Sequence, residues 1–286
     1  MMKQLVGVSL VFCGVSAIFI VGMEMIDLPP SYAAVAGRVF HGLEAPFYEE
    51  GESAVVSSEV PPIVAPPAYD SLGISVHTLL ASGRPPVIKK GELDLSGKQL
   101  VSLEGLREID GIEYVEKIFL RKNNLQSLPV DVFSGLYRLR YLDLSHNKLK
   151  ELPVGIFSDL TAIITLNLSD NEVELLSAGL FSELGRMTFL DISRNKLRVI
   201  EMKAFTGLDS LRSLYLKDNS LVELPMRVFE ELKNLEWLKL DNKFTKLSGG
   251  VFVGLSRLGT LELGAKTYNR RELNSLWEKL GLVRRK

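Results

Sequence analysis

Cysteine is almost missing from this chain: one residue in 286, Cys13, inside an N-terminal apolar run. Everything after it is closed to disulfides, to Cys-based zinc sites and to thiol nucleophiles. Histidine is scarce as well. His41, His77 and His146 lie far apart and form no spaced metal motif, so no metal or cofactor is expected. GxSxG, HExxH and phosphate-loop patterns are absent. His146 and Ser145 are neighbours at a bend, where their side chains splay apart, and make no catalytic pair. The chain reads as a non-enzyme. It also lacks an excess of charge: 34 Lys and Arg stand against 35 Asp and Glu, a net charge of −1. That balance, with no continuous basic stripe, argues against nucleic acid and against a global pull to anionic lipid.

Charge is locally absent too. Leu5 to Met23 is 19 residues without a single charged side chain. As a helix, at about 1.5 Å per residue, it would reach about 28 Å, against a bilayer hydrocarbon core of about 30 Å. Residues 1–36 therefore read as a signal peptide or a retained membrane anchor. Ser31 to Ala33 and Ala34 to Ala36 are candidate cleavage sites. Cys13 is then a small apolar residue within that helix. The chain is expected to be secreted, periplasmic or at the cell surface, touching a membrane only through this segment.

Residues 37–89 lose all pattern. Pro61–Pro62, Pro66–Pro67 and Pro85–Pro86 break helices and central strands, which suits an extended tether. Ser71 to Gly83 is expected to form a short helix over the start of the next domain.

From Lys90 the chain repeats. The string LxxLxLxxNxLxxL begins at Val115, Leu139, Ile163, Met187, Leu211 and Leu235, each 24 residues after the last, and again at Leu258, 23 on. A degenerate copy, GELDLSGKQLVSL, precedes them, giving eight units. Asn123, Asn147, Asn171, Asn195 and Asn219 share one column, and Asn242 joins it if the missing residue is placed just before it. Phe133, Phe157, Phe181, Phe205, Phe229 and Phe252 share another, each followed three residues later by Leu. The region's three prolines, Pro129, Pro153 and Pro225, occupy a third.

The LxL core has the period of a short strand with one face buried. One unit cannot bury its apolar side alone, so units stack into a parallel sheet with continuous Leu columns. The return segment LPxxxFxxLxx carries inward Phe and Leu. Asn sits where the chain leaves the strand and backbone groups lose their sheet partners. Each such group, buried and unpaired, would cost about 1–3 kcal/mol. Asn has a donor and an acceptor on one short side chain and can bond the turn and its neighbour.

The pattern resembles the leucine-rich-repeat family in its 24-residue form, over about Lys90 to Tyr268. The resemblance implies an α/β solenoid: a curved horseshoe with a parallel concave sheet over 90–268 and a convex side of loops and short helices. It also implies a scaffold that binds a protein or peptide ligand, with a structural envelope or assembly scaffold as the alternative. Extracellular animal members usually close both ends with disulfide-linked caps, and this chain has no cysteines for them. A helix over 269–286, with Leu273, Leu276, Trp277 and Leu280 on one stripe, is expected to close the C-terminal end.

A ligand would meet the strand side chains that point away from the core. At about 4.8 Å between strands, eight units make a stripe of roughly 35–40 Å. Tyr141, Phe189 and Trp237 share one exposed column, and Phe119 and Tyr215 the next. Such aromatics are interface anchors unless they cover one another. Arg121, Lys122 and Arg140, with Lys117, weight the early units positively, while Asp170, Asp191, Asp218, Glu236, Asp241 and Glu262 weight the later ones. His146 and Arg194 complete the candidate ligand face.

Overall fold

In the computed structural model of the chain, residues 11–13, 16–18, 73–82, 85–240, 244 and 247–279 are described. They fall into two compact units, divided after Ile63. In the first, β1 (Val11–Cys13) and β2 (Ser16–Ile18) pair antiparallel. The apolar run was expected to be helical throughout, and here it is not. Val11, Phe12 and Ile18 are of the β-branched and aromatic types that suit strands, and an uninterrupted apolar run does not by its period tell strand from helix. The cleavage candidates and the tether up to residue 72 lie outside the described residues. Among the described residues no helix is long and apolar enough to cross a membrane.

The second unit is a solenoid. It opens with β3 (Ile74–Ser75) and the short helix α1 (Val76–Ala81). The main sheet then gathers β4 (Glu92–Asp94), β6 (Lys117–Phe119), β7 (Tyr141–Asp143), β8 (Thr165–Asn167), β10 (Phe189–Asp191), β12 (Ser213–Tyr215), β13 (Trp237–Leu240) and β14 (Thr260–Leu263), every neighbour parallel. Two short parallel pairs lie outside it: β3 with β5 (Leu100–Ser102), and β9 (Leu175–Leu176) with β11 (Val199–Ile200). The β13–β14 register joins Trp237 to Thr260, an offset of 23, whereas Ser213 joins Trp237 at 24. The missing residue in that unit therefore leaves the sheet register intact.

The buried columns are the ones the repeat marks. Leu93, Ile118, Leu142, Leu166, Leu190, Leu214, Leu238 and Leu261 are fully or almost fully buried along the sheet. Beneath them runs the Phe spine. Phe133 and Phe157 stack at 6.4 Å, Phe157 and Phe181 at 6.1 Å, and Phe205 and Phe229 at 5.6 Å. Strands advance only about 4.8 Å per unit. The Phe side of the coil is thus the longer one, and the sheet lies on the concave side.

The bend after each strand has a fixed form. Lys122, His146, Asp170, Arg194 and Asp218, each directly before a ladder Asn, adopt left-handed φ of 53–57°, and Gly97 takes the same place in the first unit at 65°. Side chains avoid this region at a cost of about 1–2 kcal/mol, so the turn is held by other contacts. The Asn ladder supplies them. Asn147 Oδ1 accepts Leu125 N–H at 3.1 Å, and its Nδ2 donates to the carbonyls of Leu120 at 3.0 Å, Leu144 at 2.9 Å and Ser145 at 3.3 Å. Asn123, Asn171, Asn195 and Asn219 repeat the pattern. Asn242 lies outside the described residues.

Both ends are closed without sulfur. At the start, β3 adds to β5, Val76 is fully buried, and His77 N–H donates to Glu104 C=O at 2.8 Å. Gly105 makes this approach possible: at φ 88° a Cβ there would stand 2.7 Å from His77 N. At the far end the chain adds β15 (Lys266–Asn269), antiparallel to β14, before α2 (Arg270–Lys279). That strand is not visible in the repeat. In α2, Leu273 and Trp277 are buried and Leu276 half-buried, with Trp277 against Phe252 at 5.0 Å. Leu280 is outside the described residues. Asn269 Oδ1 accepts from Arg271 and Glu272 N–H, and Glu272 Oε2 accepts from Asn269 N–H at 2.9 Å. This is a reciprocal capping box, and it starts the helix at Arg270.

Candidate functional site

The concave face is built from the strand residues that alternate with the buried leucines. One column holds Glu92, Lys117, Tyr141, Thr165, Phe189, Ser213, Trp237 and Thr260, and the next holds Asp94, Phe119, Asp143, Asn167, Asp191, Tyr215, Lys239 and Glu262. All five predicted aromatics are on this face, but they do not form one stripe. Phe119 and Tyr141 lie 5.2 Å apart, tilted by 43°, and Phe189 and Tyr215 meet edge-on at 5.1 Å and 78°. Each is half-buried by its partner, as expected of rings that cover one another. Trp237 has no ring partner among the described residues and stays 47% exposed.

Part of the predicted charge is already spoken for. Asp94, Asp143, Asn167 and Asp191 each accept, through Oδ1, the N–H two residues on: Ser96 at 2.9 Å, Ser145 at 2.9 Å, Ser169 at 3.0 Å and Ser193 at 2.8 Å. These are Asx turns at the ends of the strands. Asp143 is buried, and Ser96 holds the Asp94 carboxyl below its usual range. The repeated spacing of Asp or Asn, any residue, then Ser is the signal that sequence reading missed. Asp191 therefore serves its own turn. Asn167 Oδ1 also accepts from Ser169 Oγ at 2.8 Å.

Other charges pair across strands, one unit apart. Lys117 Nζ meets Glu92 at 2.7 Å, Arg194 Nε meets Asp170 at 3.1 Å, Arg212 meets Glu236 at 2.9 Å and Lys239 meets Glu262 at 3.3 Å. His146 Nε2 lies 3.8 Å from the same Asp170 carboxylate. The expected polarity from a positive start to a negative end is therefore largely cancelled pair by pair. Lys239 Nζ also sits 4.4 Å over the Tyr215 ring, so Phe189, Tyr215, Lys239 and Glu262 form a connected run over four strands. Arg121, Lys122 and Arg140 are exposed at the opposite end.

Burial, then the nearby Asp143 carboxylate, pushes the Tyr141 phenol above its usual value, with Arg121 and Lys117 acting in opposition. The folded chain thus keeps this proton where the unfolded chain releases it. The stability from this group is complete below about pH 10 and is lost as pH rises through the folded value. Tyr141→Phe should remove a phenolate step with a midpoint above 10 from the ultraviolet titration, and should make alkaline unfolding less steep. A missing step at or below 10 would place Tyr141 in open water.

Exposed apolar groups are not confined to the sheet. On the return segments Val130, Val154, Met202 and Met226 share a column and are more than half exposed. Among the described residues no group of His, Cys, Asp and Glu is placed to hold a metal ion.

Three overlapping segments, residues 113–173, 147–197 and 186–242, match the family model described as leucine rich repeat. No curated protein matches the chain.

Proposed function

The chain belongs to the leucine-rich-repeat family, whose domains generally mediate protein–protein interaction and are typically non-enzymatic, and on that premise we propose that it is an extracytoplasmic recognition module whose concave face binds a protein or peptide. The observation that carries this reading is Trp237. It is a large aromatic, nearly half exposed, on a face where the other aromatics are covered in pairs. Exposed tryptophans of this kind make interface anchors, and truncating one costs about 2 kcal/mol or more of binding, on the order of thirtyfold. Extracytoplasmic placement rests on the uncharged run Leu5–Met23, as a signal or an anchor, and on family members of this repeat length being common outside cells.

Trp237→Ala tests the reading. It should abolish capture of the partner in a crosslinking pull-down and leave the melting temperature nearly unchanged. Retained capture, or a large fall in melting temperature, would make Trp237 structural. Phe189→Ala is the companion variant, and it should cost some stability because Phe189 packs on Tyr215.

A second reading, a structural or assembly scaffold without a dedicated ligand, draws on the exposed column Val130, Val154, Met202 and Met226. It requires self-association through the convex side. Sedimentation of the full chain as a concentration-independent monomer would dismiss it.

A further inference from the structure

We propose that the cleft at the C-terminal end of the concave face is an acidic-peptide subsite, built to take a carboxylate side chain of the partner beside an apolar one. This rests on the recognition reading above and names the chemistry of one part of that face. The cleft has a volume of about 470 Å³ and is lined by Glu236, Trp237, Arg257, Gly259, Thr260 and Arg270. That lies in the range of about 300–1,000 Å³ that holds small ligands.

Its walls come from β13, β14 and α2, with Arg257 from the segment just before β14. Glu236 and Trp237 lead and open β13, Gly259 and Thr260 do the same for β14, and Arg270 is the first residue of α2. Trp237 and Thr260 are register partners in adjacent strands. Gly259, whose N–H donates to Glu236 C=O at 2.9 Å, adds no side chain to this lining.

The charge is unbalanced in one direction. Lys117, Arg194, Arg212 and Lys239 each meet a carboxylate one unit away. Glu236 is already held by Arg212 at 2.9 Å. Arg257 and Arg270 are both exposed, and among the described residues neither makes an ion pair. Two unpaired guanidiniums flank one exposed indole. A guanidinium presents a planar fork that matches a carboxylate, and the indole offers area to an apolar neighbour. Arg212, Arg257 and Arg270 against one paired carboxylate leave the cleft net positive. A basic segment would be repelled there, and an acidic one attracted.

Trp237 also serves as the reporter. The chain has two tryptophans, and the other, Trp277, is buried under Phe252. The probe is a hexapeptide of alternating glutamate and phenylalanine, titrated into the full chain at low salt, with the lysine-for-glutamate peptide as control. The acidic peptide should change the emission of Trp237 saturably, and the change should weaken with added salt. The basic peptide should leave it unchanged. Arg257→Glu with Arg270→Glu should weaken binding by at least about tenfold, and Arg257→Gln with Arg270→Gln by less, both with the parent melting curve. Equal binding of the two peptides, or unchanged affinity in the double variants, would overturn the proposal. Capture of the natural partner separates the two ideas. If capture still depends on Trp237 but not on Arg257 and Arg270, the recognition face stands and the acidic subsite falls. If capture is lost in both, both stand.

Discussion

Phe157→Ala unfolds the solenoid at markedly lower urea, with a loss of about 4–5 kcal/mol. The ring is fully buried and stacked on both sides, against Phe133 at 6.4 Å and 15° and against Phe181 at 6.1 Å and 10°. Truncating a buried Phe costs about 3–5 kcal/mol in transfer and cavity terms, and each ring pair adds about 0.5–1.5 kcal/mol. The spine has no room to collapse, because Leu160 and Leu136 beneath it are themselves buried and fixed by the repeat. The site also lies inside the array. Repeat stability is a sum of units and their interfaces, so the weakened junction should separate the transition into two steps. Phe157→Leu, which keeps most of the volume, should cost less than half as much. Equal losses for Leu and Ala would mean that ring stacking, and not volume, dominates. A loss below about 2 kcal/mol for Ala would contradict the spine.

Asn171→Ala is expected to cost about 3 kcal/mol, and Asn171→Asp no less. Asn171 Oδ1 accepts Leu149 N–H at 3.0 Å, and Nδ2 donates to Leu144 C=O at 3.0 Å and Leu168 C=O at 3.1 Å. The carbonyls are shared: Asn147 also reaches Leu144 at 2.9 Å, and Asn195 also reaches Leu168 at 2.9 Å. Alanine therefore leaves each carbonyl one donor but strands the Leu149 N–H inside the core, at about 1–3 kcal/mol. The weakened carbonyl bonds and the lost turn make up the rest. Aspartate separates two explanations of the ladder. If the position merely favours turn-formers, Asp should be tolerated, since it suits turns as well as Asn does. If the amide donor matters, Asp fails, because it puts a buried carboxylate against two carbonyl oxygens. Its folded pKa would then be raised. A raised folded value gives stability that is present at low pH and lost as pH rises, so the Asp variant should recover as it is acidified. Guanidinium unfolding of the variants at neutral and acidic pH checks both points.

Much of this fold can be read from the chain because a repeat makes the same statement many times. The Leu columns, the Phe spine and the donor-and-acceptor role of Asn147 all follow from spacing and are present in the structure. What escaped depends on neighbours that spacing does not rank. Asp143 and Asp191 look like free acids in a strand, yet each bonds the backbone two residues on. The clue was the recurring Ser at that distance. Arg194, His146 and Lys239 look available until the unit before or after supplies Asp170 or Glu262. The aromatic columns suggested a stripe, but pairing runs diagonally between columns, Phe119 to Tyr141 and Phe189 to Tyr215, and so singles out Trp237. The strand β15 was hidden because it belongs to no repeat. Its end was still marked by Asn269 and Glu272, a capping box that spacing alone reveals.

The central claim is that recognition lives on the concave sheet face and not on the apolar convex column. Photocrosslinking compares the two directly. The full chain carries p-benzoylphenylalanine in place of Trp237 in one preparation and in place of Met202, also widely exposed, in another. Irradiated with the cells that produce it, the first should give one discrete adduct and the second none. A discrete adduct at Met202 with nothing at Trp237 would contradict the account and move the binding face to the other side of the solenoid.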